Sequence, residues 1–548
     1  MTVAVPARST VDGRLRGPVR SRRTPQAVRA AVLVVCLATG FTTLLDQSML
    51  TVAVPVLRGE LGASTAQLQW ILAGYSLTFG IALVPAGRLG DLVGRRLLLV
   101  AGIVVFSGSS LVGATASGAG VLVLARLLQG IGAGIANPQV IGLMQDHFTG
   151  SGRARAFGAY GSIGAFSAVI APLVGGSVIA AAGPELGWRL VVGLNIPSAV
   201  VVVVLALWLV PAAPAHVPSA ASAVLSSDAD ADADAAADAA RRATRALRRR
   251  GRPRRAPRDG LDVVGLVLIT LSVLALLVPF VLQDASLARR VLFAAPLAVV
   301  VPALALWERR YARSGRVPVL APELVRSPGY VLGCLVATFS FGQALGYSAV
   351  LMLFLQDGLG LSPVQAGLVT TPGAIVSGVV GNLSWRVLRR WGRAGVTAAY
   401  AAKVVTSIGV LVAVLVVPER GFVATLVVAQ VVTGALAGVS FSPNQTLTLE
   451  HAAPGRHGVA AGALQLAQRI SSTVCLAAMT GAYVAVAGPH AVVGHPGATT
   501  GHRAALAVAT GITIALAAAA LAASLADDAI ARRRRTRSTV VSMLESPS

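Results

Sequence analysis

The chain has 548 residues, 55% of them hydrophobic and only 12% charged, with a mean hydropathy of +0.74. A soluble protein of this length carries roughly twice that charged fraction, so the composition excludes a water-soluble frame. A net charge of +24 would suggest nucleic acid in a soluble chain; here the basic residues, all arginine except Lys403, lie between long apolar runs, which is the pattern of membrane topology, and no nucleic-acid partner is expected.

Residues 1–29 form an Arg-rich tail. The apolar run that follows, 30–57, is too long for a signal-peptide core and has no convincing cleavage site, so it is expected to be a retained first span. Further runs long enough to cross a bilayer lie at 68–88, 97–117, 120–145, 156–181, 190–210, 261–283, 291–308, 330–355, 364–386, 395–417, 421–447, 458–486 and 503–526, giving fourteen predicted spans. The eighth is short and the thirteenth opens with polar turns. Between the sixth and seventh, residues 211–260 pass from Pro/Ala-rich sequence through DADADADAAADAA to RRATRALRRRGRPRR. Such charge-segregated, low-complexity sequence buries no core and is expected to be a disordered linker whose basic end touches lipid headgroups. A second basic tail occupies 527–548.

Arginine placement orients the chain. One side of the membrane receives both tails, the Arg95–Arg96 turn, Arg153 and Arg155, the basic end of the linker, and the clusters at 309–316 and 386–393. The other receives only scattered residues such as Arg58, Arg189 and Arg503. The first side is therefore expected to be cytoplasmic, with both termini there. The three cysteines, Cys36, Cys334 and Cys475, fall inside apolar runs and form neither a disulfide framework nor a metal spacing.

The turn between the second and third spans reads GRLGDLVGRR, Gly87 to Arg96. Gly87 and Gly94 permit a tight turn and close helix approach. Asp91, at a helix end, suits the positive end of a facing helix. Arg95 and Arg96 anchor the charged face. The stretch Val387–Arg393 lies over Leu89–Arg95 as a faint internal repeat, with Gly392 matching Gly94, Arg393 matching Arg95, and Arg389 in place of Asp91. That asymmetry predicts a latch between two halves: Asp91 should face the start of the thirteenth span, near Gly455 to Gly462, when the molecule opens outward.

Residues 87–96 resemble the loop-2/3 motif of the major facilitator superfamily. Further segments resemble its fourteen-helix drug:proton antiporters: Leu45–Pro55 (LDQSMLTVAVP) in the first helix, Arg126–Gly132 (RLLQGIG) in the fourth, Gly158 with Ser167, Ala171-Pro172 and Gly175-Gly176 in the fifth, and Trp188-Arg189 with Asn195-Ile196-Pro197 entering the sixth. Ser48, Thr51, Ser167 and Ala171 depart from the usual residues of those motifs. The resemblance implies an all-α polytopic fold, with a six-helix bundle at 30–210, an inserted helix pair at 261–308 and a second six-helix bundle at 309–526. It implies a plasma-membrane multidrug-efflux antiporter working by alternating access, driven by the proton gradient and using no cofactor.

Several residues carry the chemistry of that expectation. Asp46 lies well inside the first span, where an ionised carboxylate must meet a cavity or a partner. It is either a proton carrier or a structural partner of an arginine, and the first is the role taken here. Arg126 would bias the titration of a nearby acid, Asp46 being a candidate, or hold a polar network with Gln129. Pro172 should bend the fifth helix, and Gly158, Gly175 and Gly176 should let a neighbour approach. Gln129, Asn137, Gln343, Asn444, Gln445, Gln465 and Arg469 are candidate cavity-lining residues, although each alone is more simply an interhelical hydrogen bond. His490, His495 and His502 fall in an external loop without carboxylate or thiol company, so no metal site is expected. There is no phosphate-binding GxxxxGK[ST] and no catalytic triad or HExxH, so neither ATP drive nor an enzyme is expected.

The expected function is proton-coupled export of small lipophilic compounds, cationic ones included, or of antibiotics. The alternative is export of an endogenous metabolite or lipid-like product, with a non-transporting receptor further behind. The oligomeric state is open, and a monomer is compatible with all of this.

Overall fold

The computed structural model describes residues 24–211, 262–281, 286–314, 316, 318, 322–452, 457–487 and 498–544, and those residues form helices and short connections only. The linker 211–260, beyond its first residue, and His490 and His495 lie outside them. The first half contains α1 (Pro25–Glu60), α2 (Thr65–Val93), α3 (Arg95–Ala114), α4 (Ala119–His147), α5 (Gly150–Gly193) and α6 (Asn195–Leu209). Then come α7 (Val263–Val281), α8 (Leu287–Ala294) and α9 (Leu297–Arg313). The second half contains the short α10 (Pro322–Val325), α11 (Pro328–Leu353) with a π turn at Phe354–Gly358, α12 (Pro363–Val416), α13 (Glu419–Leu449), α14 (His457–Ala487) and α15 (Ala498–Leu544).

Helix starts follow local chemistry. Thr24 caps α1 with Pro25 in its first turn, and Ser64 and Ser362 close reciprocal capping boxes with Gln67 and Gln365. Two helices are folded double. Gly183 in α5 has φ 79° and ψ 169°, and Gly392 in α12 has φ 55° and ψ −132°. A Cβ placed on Gly187 would lie 2.6 Å from the Cα of Ile179. In a straight helix those residues stand about 12 Å apart, so the limbs run back along each other. The same holds around Gly392, where a Cβ on Gly395 would lie 2.7 Å from Val387. Eleven stretches among the described residues are long and apolar enough to cross a membrane; two of them contain these folds, Gly150–Leu209 of 60 residues, which runs through α5 and α6, and Gln365–Val416 of 52 residues, and Val263–Pro279 is a shorter apolar helix.

Three expectations need correction. The short eighth span is two helices, α8 and α9, with a break at Ala295–Pro296. The last helix does not stop near residue 526 but runs to Leu544, because nothing in ARRRRTRST interrupts it and arginine is a good helix former. His502 is not in a loop: it is a buried residue of α15 whose Nδ1 lies 2.8 Å from the Tyr483 hydroxyl.

Within the first half α1 packs on α5 and α6, α2 on α4, and α3 on α4 and α6; within the second, α11 packs on α14 and α15, and α12 on α13 and α15. The halves meet along two seams, α2 with α14 and α5 with α12. Helix α7 lies over the first seam, sharing an apolar cluster (Ile269, Val273, Leu277) with Phe79 and Leu83 of α2 and Leu466 of α14. Asp262 caps α7 through Gly265 N and accepts a 2.8 Å bond from Trp307 Nε1 of α9, which ties the inserted helices together.

The apolar cores are distributed unequally between the two faces. On the face that holds the Gly94 turn, one cluster runs through both halves, from Val32, Val140 and Phe157 to Tyr330, Leu449 and Leu464. On the opposite face there are separate clusters: Leu50, Leu57, Ile71 and Trp188 in the first half, and Val350, Phe354, Phe422 and Leu506 in the second. The halves are thus joined at the Gly94 face.

Candidate functional site

Two sites emerge at opposite ends of α2. The first surrounds Asp46, whose side chain is 4% exposed. Arg126 Nη1 of α4 donates to Asp46 Oδ2 at 2.7 Å, while Gln129 Nε2 and Asn195 Nδ2 donate to Oδ1 at 3.0 and 2.5 Å. Gln129 is one turn from Arg126 on α4, so both reach the same point, and its Oε1 accepts from Arg126 Nη1 at 2.5 Å. Its amide also donates to Ser110 Oγ of α3 at 2.8 Å. Arg126 Nε donates to the Ile71 carbonyl of α2, and its guanidinium lies 4.6 Å from the centre of the Tyr75 ring. Five helices thus converge on one carboxylate. Its charge is balanced by one cation, and its lone pairs are met by two amides and that guanidinium. Such an arrangement satisfies a buried charge.

The sequence brings Asp46, Arg126 and Gln129 together as candidates. It does not mark Asn195 as a ligand: that residue is legible only as part of the sixth-helix motif. Nor does it mark Ser110 or Tyr75.

The second site is the contact between halves at the Gly94 face. Asp91 accepts from Gly458 N and Val459 N at 3.1 and 3.2 Å, the exposed amides of the first turn of α14. Gly87 lies against the backbone of Gly458, with no room for a Cβ on either, and a Cβ on Gly462 would lie 2.6 Å from the Leu83 carbonyl. Gly94 turns the chain with φ 110°. Arg95 points inward: Nη2 donates to Asp91 at 2.7 Å and Nε to Asp146 at 2.6 Å. Asp146 in turn meets His457 Nδ1 at 2.8 Å. The expected anchoring role of the arginine pair is therefore divided. Arg95 sits inside the contact, whereas Arg96 stays within its own half and donates to the Leu207 carbonyl at 2.5 Å. The contributions of Asp146, His457 and Gly142, which leaves space for the Arg95 guanidinium, carry no signal in the sequence alone.

The second seam is built alike. Gly158 of α5 lies against the Gly381 carbonyl of α12, and Ser162 Oγ donates to the Gly378 carbonyl at 2.5 Å. Asn382 donates to Ser162, and Ser442 of α13 to the Ala154 carbonyl. Gly175 packs on Met49 of α1, inside the first half; Gly176 is a half-buried residue of α5. In the repeat, Gly392 shares the left-handed turn of Gly94, Arg393 pairs with Asp527 of α15, and Arg389 lies over the Trp385 ring. Among the described residues, nothing at the repeat reproduces the Asp91 contact.

The remaining candidates separate. Asn137 accepts from Tyr160, and Asn444 donates to the Gly333 carbonyl, both interhelical bonds. Gln343 and Gln445 are buried in the second half, Gln445 Oε1 without a partner. Gln465 and Arg469 lie one turn apart on α14, with Arg469 4.6 Å from the Phe79 ring.

The sequence profile of the Major Facilitator Superfamily matches residues 36–476. A probable actinorhodin transporter of Streptomyces coelicolor is 32% identical over 479 residues, 85% of this chain and 74% of the relative. A methylenomycin A resistance protein of the same organism is 29% identical, over 82% of this chain and 85% of the relative. The multidrug transporter protein MdtP of Bacillus subtilis is 32% identical over 34% of this chain and 33% of its own. Among solved structures, the proton:xylose symporter XylE superposes with a TM-score of 0.59, covering 91% of this chain and 95% of its own at 15% identity, a likeness of fold. With the profile spanning the body of the chain, and with the helices and their two seams in place, this multi-pass membrane protein belongs to the Major Facilitator Superfamily.

Proposed function

We propose that the chain is a proton-driven exporter of small lipophilic toxic compounds or antibiotics, working by alternating access in the cytoplasmic membrane. The observation that carries this reading is Asp46, buried in the first half and held by Arg126, Gln129 and Asn195. The similarity to transporters and resistance proteins of antibiotics points the same way. In this reading the chain crosses the membrane fourteen times, the stretch α5–α6 and the helix α12 supplying two crossings each. The Gly94 face and both termini are cytoplasmic, 30–210 and 309–526 are the two moving bundles, and 261–308 is a peripheral pair.

The contact of Asp91 with α14 then closes the cytoplasmic side, so the arrangement described is the outward-facing one. A proton entering from outside neutralises Asp46 and loosens its hold on Arg126. Helix α2 carries both the Ile71–Tyr75 end of the Asp46 site and the Gly87–Asp91 contact, about 24 Å apart along its axis. It is therefore the element through which one site biases the other. Opening inward releases the proton and admits substrate. Each charge moved gains about 2.3 kcal/mol per 100 mV of membrane potential. No covalent chemistry on the substrate is involved.

The test is Asp46→Asn in proteoliposomes with an imposed pH gradient. Substrate-driven proton flux should vanish. Flux equal to that of the unaltered protein would end the proposal. Export of an endogenous product by the same machinery is the second reading, and a growth assay with and without a panel of toxic compounds separates the two.

A further inference from the structure

The interior charge of the molecule is unbalanced. Asp46 is committed to Arg126. Every other described carboxylate lies near a helix end or, as Asp527 and Asp528 in the long α15, beside an arginine. Two further cations lie in the second half away from helix ends: Lys403, 8% exposed and over the Tyr400 ring, and Arg469 of α14. Neither has an ion pair or hydrogen bond to a described residue.

Arg469 stands at the α2–α14 seam. Its stem packs on Gly80, where a Cβ would lie 3.6 Å from Arg469 Cγ, and its guanidinium faces Phe79. One turn earlier on the same helix face, Gln465 is 9% exposed and its Nε2 is buried without an acceptor. A buried amide donor left unpaired carries its full desolvation penalty, and a guanidinium presents a fork of donors matched to a carboxylate. Donors of both kinds therefore sit side by side, and what is missing is an anionic acceptor. Aromatic surface flanks the place: Phe79 stacks on Tyr75 at 6.1 Å, the ring against which Arg126 lies.

We infer that Arg469 and Gln465 form a subsite for the acid group of the exported compound, so that the preferred substrates are lipophilic acids, carboxylates or phenolates on an apolar skeleton, and not lipophilic cations. The word "exported" rests on the proposed function; the anion preference does not. Lys403 adds to a positive interior field that favours the same charge sign. The nearness of the subsite to Tyr75 and Arg126 places the bound acid beside the Asp46 site, at the junction of the two halves.

The test uses two probes with one ring system and opposite charge, fluorescein and rhodamine 6G. Binding of each is followed at pH 8 by fluorescence polarisation to the full-length protein in nanodiscs of zwitterionic lipid. Fluorescein should bind more tightly than rhodamine 6G. Arg469→Gln should weaken fluorescein by roughly tenfold or more and leave rhodamine 6G within about twofold, while Arg469→Lys retains an intermediate affinity. Gln465→Leu, which keeps the guanidinium, should weaken fluorescein by roughly threefold; it stands in if Arg469→Gln fails to fold. No fluorescein binding, equal affinity in Arg469→Gln (or in Gln465→Leu, where that variant stands in), or tighter binding of rhodamine 6G overturns the inference. Competitive displacement of fluorescein by phosphatidylglycerol in the nanodisc would reassign the subsite to a lipid headgroup and overturn its assignment to substrate. Loss of gradient-driven export with fluorescein binding intact would instead count against the exporter reading and leave the subsite standing.

Discussion

Asp91→Asn isolates the contact between the halves. The carboxylate takes two backbone amides of α14 at 3.1 and 3.2 Å, one on each oxygen, and it does so at the positive end of a helix of 31 residues. A hydrogen bond to a charged group is worth about 1.5–3 kcal/mol, and an anion at a helix N-terminus about 0.3–2 kcal/mol, overlapping with it. Asparagine keeps one acceptor and loses the second together with the charge. Arg95 lies on the same side of the seam and retains Asp146, so its loss of Asp91 adds little to the separation energy. The net cost to the state closed at the Gly94 face is about 2–3 kcal/mol, or roughly 30- to 150-fold in the conformational equilibrium. Spin labels at Leu97 and Trp391, exposed residues on that face of opposite halves, report the change by pulsed electron–electron resonance in a background without the three native cysteines. The long-distance population should rise to dominate in Asp91→Asn. A distance distribution that matches the unaltered protein would refute the energetic reasoning and the latch with it.

Other outcomes follow from the same geometry. Gly87→Leu places a side chain against the Gly458 backbone and should abolish transport while yield from the membrane stays normal, as measured by counterflow and by size-exclusion profile. Arg126→Leu leaves Asp46 buried without its cation and should cost about 3–5 kcal/mol, read as a lowered thermal midpoint in detergent; adding Asp46→Asn should recover part of that loss. Asn195→Ala removes a 2.5 Å bond to Asp46 and should reduce substrate-driven proton flux by roughly tenfold with the label distances across the Gly94 face unchanged. Gly183→Ala forces a side chain into a backbone region that favours glycine and should cost about 1–3 kcal/mol by thermal unfolding, whereas Gly59→Ala, in open space near the end of α1, should be close to neutral.

Much of the site was legible where the residue type is costly in hydrocarbon. Asp46, Arg126 and Arg469 stand out because a charge inside an apolar run needs a reason. Asp91 stands out because a carboxylate at a helix end among glycines has a simple electrostatic use, and its partner turns out to be the first turn of α14, the segment singled out for it. The parts that stayed hidden are those that depend on facing. Membrane helices are apolar on every side, so no period in the sequence says that Asn195 turns toward Asp46 or that Arg95 turns inward while Arg96 turns away. His502 read as a loop residue because its neighbours are Gly and Thr, yet a tyrosine one helix away gives it a partner. The hairpins at Gly183 and Gly392 likewise could not be told from ordinary short connections, since nothing but the backbone angle distinguishes them.

Backbone meets backbone where the halves touch, at Gly87 with Gly458, Leu83 with Gly462 and Gly158 with Gly381. At these points main chain rests on main chain, beside the apolar cluster that runs through both halves. Knobs seated in holes must be lifted out before two helices can part, which raises the barrier to separation as well as its free energy. Flat surfaces held by a few directed polar bonds part without that climb. At these glycine contacts the joint is therefore tight at rest and cheap to traverse. Enlarging any of these glycines changes a bearing surface into a ratchet, and turnover should suffer before affinity does.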